Sequence, residues 1–336
     1  MPTYTWFASA APILQCGGTP VFCDIDPRTL TLDPDDAETR ITDRTRAICA
    51  VHTWGNPAAL DRICRLAKDR GLVLIEDASH AHGAKYQGRP VGSWGDIGCF
   101  SLQGIKAVSG GEAGVAVTDN PLYYDRMLAL GHNGRALDHV TDEVDIDQMN
   151  LGFKYRPHLC AAALANASLG RLSELNKLRH RNYTILSQEL EHCRAVRPIE
   201  IFPGAERGGF LELILRYDPA HAGGWPREAF VKACCAEGVP MSVDRYTQVG
   251  RTSQLLHQAP IFNEFDRSGF GGAFGMLKFD PLPRETSLPI AEKLSNELIS
   301  LPPLTKVSEG YVRQLGKAIC KVAALAPTVR DYRIGV

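Results

Sequence analysis

The stretch FSLQGIKAVSGGEAGVAV, residues 100–117, decides how the rest of the chain is read. An apolar run, IGCFSL (97–102), leads through Gln103-Gly104-Ile105 to a single lysine, Lys106. Beyond it come Ser109-Gly110-Gly111-Glu112 and a second apolar run, GVAVT (114–118). A lone lysine after a strand is ordinarily a solvated loop residue. Two features set this one apart. Ligands of open parallel sheets gather beyond the carboxyl ends of the strands, and neighbouring glycines let a backbone turn tightly and come close to a bound molecule.

Working outward, the flanking sequence alternates strand and helix signals. PVFCDID (20–26), RAICAVH (46–52) and LVLIED (72–77) are short apolar runs that read as strands, the last two of the fully buried kind. Between them, DPDDAETRI (33–41) opens on Asp-Pro as a helix does, and AALDRICRLAKDRG (58–71) is an amphipathic helix stopped by Gly71. This order, with continuous apolar strands, predicts an α/β domain around a mostly parallel sheet covered on both faces. One long helix is expected over 158–193, started near Pro157 and striped by Leu169, Leu172, Leu175, Leu186 and Leu190. After Pro203 the texture changes to a strand (210–217), a helix (226–238), a helix over 288–304 ended by prolines, and a terminal helix over 309–326. The expected division is a large domain, 1–204, and a smaller α+β domain, 205–336, with the boundary at 204–209.

Composition narrows the class. A chain of 336 residues suggests about two domains. With 37 basic and 38 acidic residues the net charge is −1, which gives no electrostatic case for nucleic acid or an anionic membrane as partner. No run of about 18 apolar residues marks a membrane span. The N-terminal ASAAPILQC lacks a basic leader and is broken by Pro12, so it does not read as an export signal. The ten cysteines are scattered with no CxxC pair, which argues against zinc and for reduced, mostly buried thiols in a cytoplasmic protein.

Strand ends carry the chemistry. LVLIED ends on Glu76-Asp77, and CFSL supplies Ser101 just ahead of Lys106. An acid, a hydroxyl and an amine at successive strand edges can grip one ligand that is both anionic and electrophilic. Pyridoxal 5'-phosphate is such a ligand: it needs an amine for an imine, a carboxylate for its ring nitrogen and donors for its phosphate. The amine must be partly deprotonated to react, which desolvation favours.

The block IEDASHAHGAKYQGRPVGSWGDIGCFSLQGIKAVSGGEAGVAVTDN resembles the DegT/DnrJ/EryC1/StrS sugar aminotransferase family, of pyridoxal-phosphate fold type I. TYTWFASAAPILQCGGTPVFCDIDPRTLTLDP, LGFKYRPHLCAAALANASLGRLSELNKLRHRN and LPIAEKLSNELISLPPL resemble further family segments, so the likeness runs over almost the whole chain. It implies that Lys106 forms the Schiff base and shuttles the substrate proton, that Asp77 pairs with the pyridinium nitrogen, and that Ser101 binds the phosphate. It places His80 near the cofactor's phenolic oxygen and Trp6 on the ring. Lys154, with Arg156, reaches the neighbouring active site across a homodimer, and His132-Asn133 belong to a loop near the site. Three departures stand out. The family's usual GEGG is Gly111-Glu112-Ala113-Gly114 here. Family members carry a segment ahead of the point matching Met1, with a phosphate-binding Gly-Thr pair, so the expectation is a fold type I chain without that segment. SLQGIK and KYRPH resemble the branch of glutamine:scyllo-inosose aminotransferases and aminohydroxybenzoate synthases rather than nucleotide-sugar enzymes.

The implied activity is transfer of an amino group from L-glutamine or L-glutamate to a keto-cyclitol or keto-sugar. Two alternatives remain. A sugar dehydratase of the same fold carries histidine in place of the lysine, which Lys106 argues against. A catalytically silent homologue with a regulatory or partner-subunit role is argued against by Asp77, Ser101 and Lys106 together.

Overall fold

The computed structural model describes residues 1–132, 153–247, 254–263 and 286–328. Its centre is a four-stranded sheet in which Ala47–Val51, Val73–Asp77, Ile97–Ser101 and Gly114–Val117 are neighbours in that order. The first three run parallel, with Val51 opposite Asp77 and Asp77 opposite Cys99. The fourth is antiparallel, pairing Ser101 with Gly114. Three strand ends thus converge on one edge, and Lys106 lies in the turn that joins the last two strands.

Adjacent acids on one strand point to opposite sides of the sheet, and Glu76 and Asp77 take different roles. Glu76 is fully buried and accepts from His52 Nε2 at 3.0 Å and from the backbone N–H groups of Gly92, Trp94 and Gly95 at 2.6 to 2.7 Å. His52 Nδ1 accepts from the Ala58 N–H at 3.1 Å, so the proton facing Glu76 sits on Nε2. Burial alone would raise the Glu76 carboxyl, but the His52 hydrogen bond and charge, with the Gly95 and Gly92 N–H groups, bring it below its usual value. Glu76 therefore anchors the 92–95 loop beneath the sheet, and Asp77 is left for the open edge.

Three expectations need correction. The run 20–26 forms isolated bridges, Pro2 to Cys23 and Ile25 to Leu32, instead of a regular strand. Its acids are otherwise engaged. Asp24 caps the helix Pro289–Leu294 by accepting from the Ile290 and Ala291 N–H groups, and Asp26 accepts from those of Arg28 and Thr29. Local side-chain acceptors compete with a ladder. The single helix expected over 158–193 is two, Leu159–Leu169 and Leu172–Glu189. At the break the Arg171 N–H bonds back to Ser168, a tighter turn beside Gly170, the poorest helix former after proline. The helix expected over 288–304 is the short Pro289–Leu294 followed by the strand Leu298–Leu301, all four of whose residues are buried. A short apolar run of this kind does not distinguish the two by periodicity.

That strand is central in a second, antiparallel sheet of Ser242–Val243, Leu298–Leu301, Leu213–Tyr217 and Val196–Pro198. The sheet packs on the helices Leu172–Glu189, Arg227–Ala236 and Glu309–Leu325 through Leu186, Phe230, Leu215, Ile299 and Ile319. The 205–206 segment instead pairs with Lys85–Tyr86 beside the first sheet. Another core joins the halves, with Met1, Tyr4 and Leu30 packed against Leu256, Leu288 and Leu298. None of the ten cysteines forms a disulfide; Cys23, Cys193 and Cys234 are buried, while Cys16, Cys160 and Cys235 are exposed. No helix among the described residues is long and apolar enough to cross a membrane.

Candidate active site

A cavity of about 1420 Å³ opens at the carboxyl edge of the parallel strands and is lined by Trp6, Asp77, His80, Ser101, Lys106 and Arg245, among others. Five residues singled out from sequence thus meet in one place. Asp77 is held by two donors, Ser9 Oγ at 2.6 Å to Oδ2 and the Ser79 N–H at 3.0 Å to Oδ1. Each carboxylate oxygen keeps a further lone pair for a ligand. Ser101 Oγ accepts from the Gln103 N–H at 3.3 Å, which leaves its own proton free to donate into the cavity.

Burial lowers the Lys106 amine from its ordinary 10.5 to about 8, with the Arg245 charge pushing the same way and Asp77 opposing. Lys106 is therefore a nucleophile available near neutral pH. His80 is buried, and desolvation, then the charge of Lys106, then that of Arg245, hold its ring well below the usual histidine value. The Trp54 N–H donates to His80 Nδ1 at 3.3 Å, so the ring proton lies on Nε2 and is shared with Tyr246 Oη at 3.3 Å. Trp54, His80 and Tyr246 form a stacked aromatic wall, with Trp54 and Tyr246 centroids 4.6 Å apart at 26°. Trp6, 36% exposed, lies beyond Tyr246 with centroids 6.1 Å apart.

Lys154 is exposed, forms a bridge with His132, and does not line the cavity of its own chain. Asn133 lies outside the described residues. Sequence reasoning missed Arg245, Tyr246 and the buried chain that holds them. Trp54 Nε1 donates to Tyr4 Oη at 2.8 Å, Tyr4 donates to Asp244 Oδ1 at 2.9 Å, and Asp244 Oδ2 accepts from the Tyr246 N–H at 3.1 Å. Glu212 pairs with Arg245 and holds its guanidinium toward the cavity. Trp54 could have been found: it follows a buried strand at the same carboxyl edge. Its φ of 57° in a bulky residue marks local strain that the surrounding structure must hold. Nothing in SVDRYTQ marks Arg245.

The donor set suits a ligand that carries an aldehyde, a ring nitrogen and a phosphate, since one desolvated amine, one fixed carboxylate and one hydroxyl face a common space with aromatic walls. A mostly parallel sheet with such a cavity at its carboxyl edge, joined to a smaller antiparallel domain, is the architecture of fold type I pyridoxal-phosphate transferases. The sequence profile of the DegT/DnrJ/EryC1/StrS aminotransferase family matches residues 1–263, and the chain belongs to that family. It is 32% identical over 330 residues to L-glutamine:2-deoxy-scyllo-inosose aminotransferase of Streptomyces kanamyceticus, a match spanning 96% of this chain and 75% of that one. L-glutamine:scyllo-inosose aminotransferase of Streptomyces griseus is 43% identical over 151 residues, 45% of this chain and 35% of that one. Among solved structures, 3-amino-5-hydroxybenzoic acid synthase superposes with a TM-score of 0.78 at 25% identity, covering 97% of this chain and 79% of that one. DesI with its TDP-sugar product superposes at 0.76 and 28%, covering 96% and 74%.

Proposed function

We propose that the chain transfers an amino group from L-glutamine or L-glutamate to a keto-cyclitol or keto-sugar, using pyridoxal 5'-phosphate held at the carboxyl edge of the parallel strands. The supporting observation is the meeting of Lys106, its amine brought down to about 8, with Asp77 and Ser101 in one cavity. When bound, the cofactor supplies an aldehyde for amino groups and a ring that takes up electrons. Lys106 would supply the amine that holds that aldehyde, and its Nζ would serve as the base for the proton at the donor's Cα. The Asp77 carboxylate, fixed by Ser9 and Ser79, would hold a proton on the ring nitrogen. Ser101 Oγ would donate to its phosphate, Trp6 would cover its ring, and His80 would lie on the side of its phenolic oxygen, all three lining the cavity. Arg245, steadied by Glu212, faces the carboxylate of the amino donor.

The keto-cyclitol side of this reading draws on the named reactions of the inosose relatives. We place residues 1–204 in the cofactor-binding domain and 205–336 in the second domain, in a cytoplasmic homodimer whose neighbouring site receives Lys154. The helix Leu159–Leu169 supports the dimer. It carries no charged residue and leaves Leu159 85% exposed, with Leu164 and Leu169 exposed as well, an apolar surface of the kind that marks protein interfaces. The test is amination of a panel of keto-cyclitols and nucleotide keto-sugars with L-glutamine. Asp77→Asn is expected to cut turnover by about two orders of magnitude, the scale of a lost electrostatic partner at a reacting centre. Unchanged turnover in that variant, or no acceptor turned over by the wild-type chain, overturns the proposal.

A further inference from the structure

A second cavity, of about 520 Å³, lies between one face of the helix Leu172–Glu189 and the segment that connects the two domains. From the helix come His180, Tyr183 and Ser187, spaced three and four residues apart and so on one side. From the connecting segment come Arg207 and Phe210.

Arg207 gives the cavity its character. The residue is only 5% exposed. The guanidinium carbon stands 4.6 Å from the centre of the Tyr183 ring, and Nη2 makes one long hydrogen bond, 3.4 Å, to the Ile199 carbonyl. Nε is buried with no hydrogen-bond partner, and no carboxylate forms an ion pair with Arg207 among the described residues. A guanidinium cannot shed its proton to escape this position. A buried charge without a counter-charge costs several kcal/mol, of which a cation–π contact returns only about 2. Neighbouring groups do not pair with it directly: Glu206, next in the chain, is exposed to solvent and makes no ion pair with Arg207 among the described residues. His180, edge-on to Phe210 with centroids 4.8 Å apart, is lowered by burial and further by the charge of Arg207, against a backbone hydrogen bond to Arg207 and the charge of Glu206. Glu191 lies at the mouth and is exposed to solvent.

We propose that this cavity is a binding site for a small oxyanion, a carboxylate or a phosphate, with Arg207 as its charged partner. The planar guanidinium presents N–H groups in the spacing that two oxygens of such an anion accept. Tyr183 and Phe210 line the site beside Arg207.

The test uses the full chain saturated with pyridoxal 5'-phosphate, so that anion contacts in the first cavity are already occupied. Inorganic phosphate is titrated in one arm and acetate in the other, at ionic strength held constant with chloride, with calorimetric heat and thermal midpoint as readouts. Saturable binding in the phosphate arm alone assigns a phosphate site; in the acetate arm alone, a carboxylate site. Arg207→Met is expected to weaken binding at least about tenfold, the scale of a lost charge-assisted pair, and to abolish the anion-dependent rise in midpoint. Arg245→Met, in the first cavity, is expected to leave that rise in place. A folded Arg207→Met that binds as the wild type does, or no saturable response in either arm, overturns the site. Should Arg207→Met fail to fold, anomalous diffraction from wild-type crystals soaked in selenate decides. A peak within hydrogen-bond reach of Arg207 upholds the site, and its absence overturns it.

Discussion

The reactivity of Lys106 is set by burial and by two charged neighbours, and each makes a separable contribution. Burial lowers the amine to about 8, Asp77 raises it and Arg245 lowers it. At pH 7 an amine at that value is about one-tenth deprotonated, against about one part in three thousand for a solvated lysine. The side chain therefore carries roughly 300-fold more free amine than its surface counterparts at the same pH. Competitive labelling of the cofactor-free chain with an amine-selective reagent across pH 6 to 11, read by peptide mass spectrometry, measures this midpoint against the other lysines. Wild-type Lys106 is expected to titrate near 8. Asp77→Asn removes the one neighbour that stabilises the ammonium and shifts the midpoint down; Arg245→Met removes a repulsive charge and shifts it up. A Lys106 midpoint above 10, or displacement in the same direction by both substitutions, refutes the assignment of a desolvated amine between these two charges.

Two further outcomes concern the groups that support the site. Glu76→Gln replaces an acceptor of four hydrogen bonds by an amide that must turn donors toward backbone N–H groups, and is expected to cost about 3–5 kcal/mol in urea unfolding at unchanged m. Because the folded-state value of Glu76 is lowered, its contribution is complete above the usual 4.5 and is lost as pH falls through the folded value; the variant lacks that dependence. A loss below about 1 kcal/mol contradicts the anchor role. Asp244 behaves in the opposite sense: burial, opposed by the Tyr4 hydrogen bond and aided by the charge of Glu212, pushes its carboxyl up to about 7. The folded chain holds a proton there that the unfolded chain has lost, so stability from this group falls between about pH 4 and 7. Asp244→Asn keeps an acceptor for Tyr4 and is expected to flatten that fall, as measured by thermal midpoints across the interval.

Much of the large domain is written in local sequence. The runs around residues 47–51, 73–77 and 97–101 are apolar because both faces of a parallel sheet are covered, and that continuity made the strands and their carboxyl edge legible before any contact was known. Lys106 and Ser101 followed from the edge. Where acids interrupt an apolar run, local sequence misled for two reasons: Asp24 bonds to a distant helix that no window of residues displays, and Asp26 turns the chain through its own neighbours, a signal outweighed by the apolar residues around it. The residues 298–301 were misread for a related reason: all four are buried, so neither period 2 nor period 3.6 is expressed. Arg245 and Tyr246 stayed hidden because they reach the cavity from the other domain, and their placement depends on the Trp54–Tyr4–Asp244 chain assembled only on folding.

These dependencies give the site a consistent physical form. Strand ends bring the amine, hydroxyl and carboxylate together, Glu76 fixes the loop beneath them, and the second domain adds a cation and an aromatic face. The central claim is the bond at Lys106. Borohydride reduction of the chain loaded with pyridoxal 5'-phosphate, followed by peptide mapping, measures it directly. The expected result is a single phosphopyridoxyl group on Lys106, absent from Lys106→Ala; label on another lysine, or none, contradicts the account.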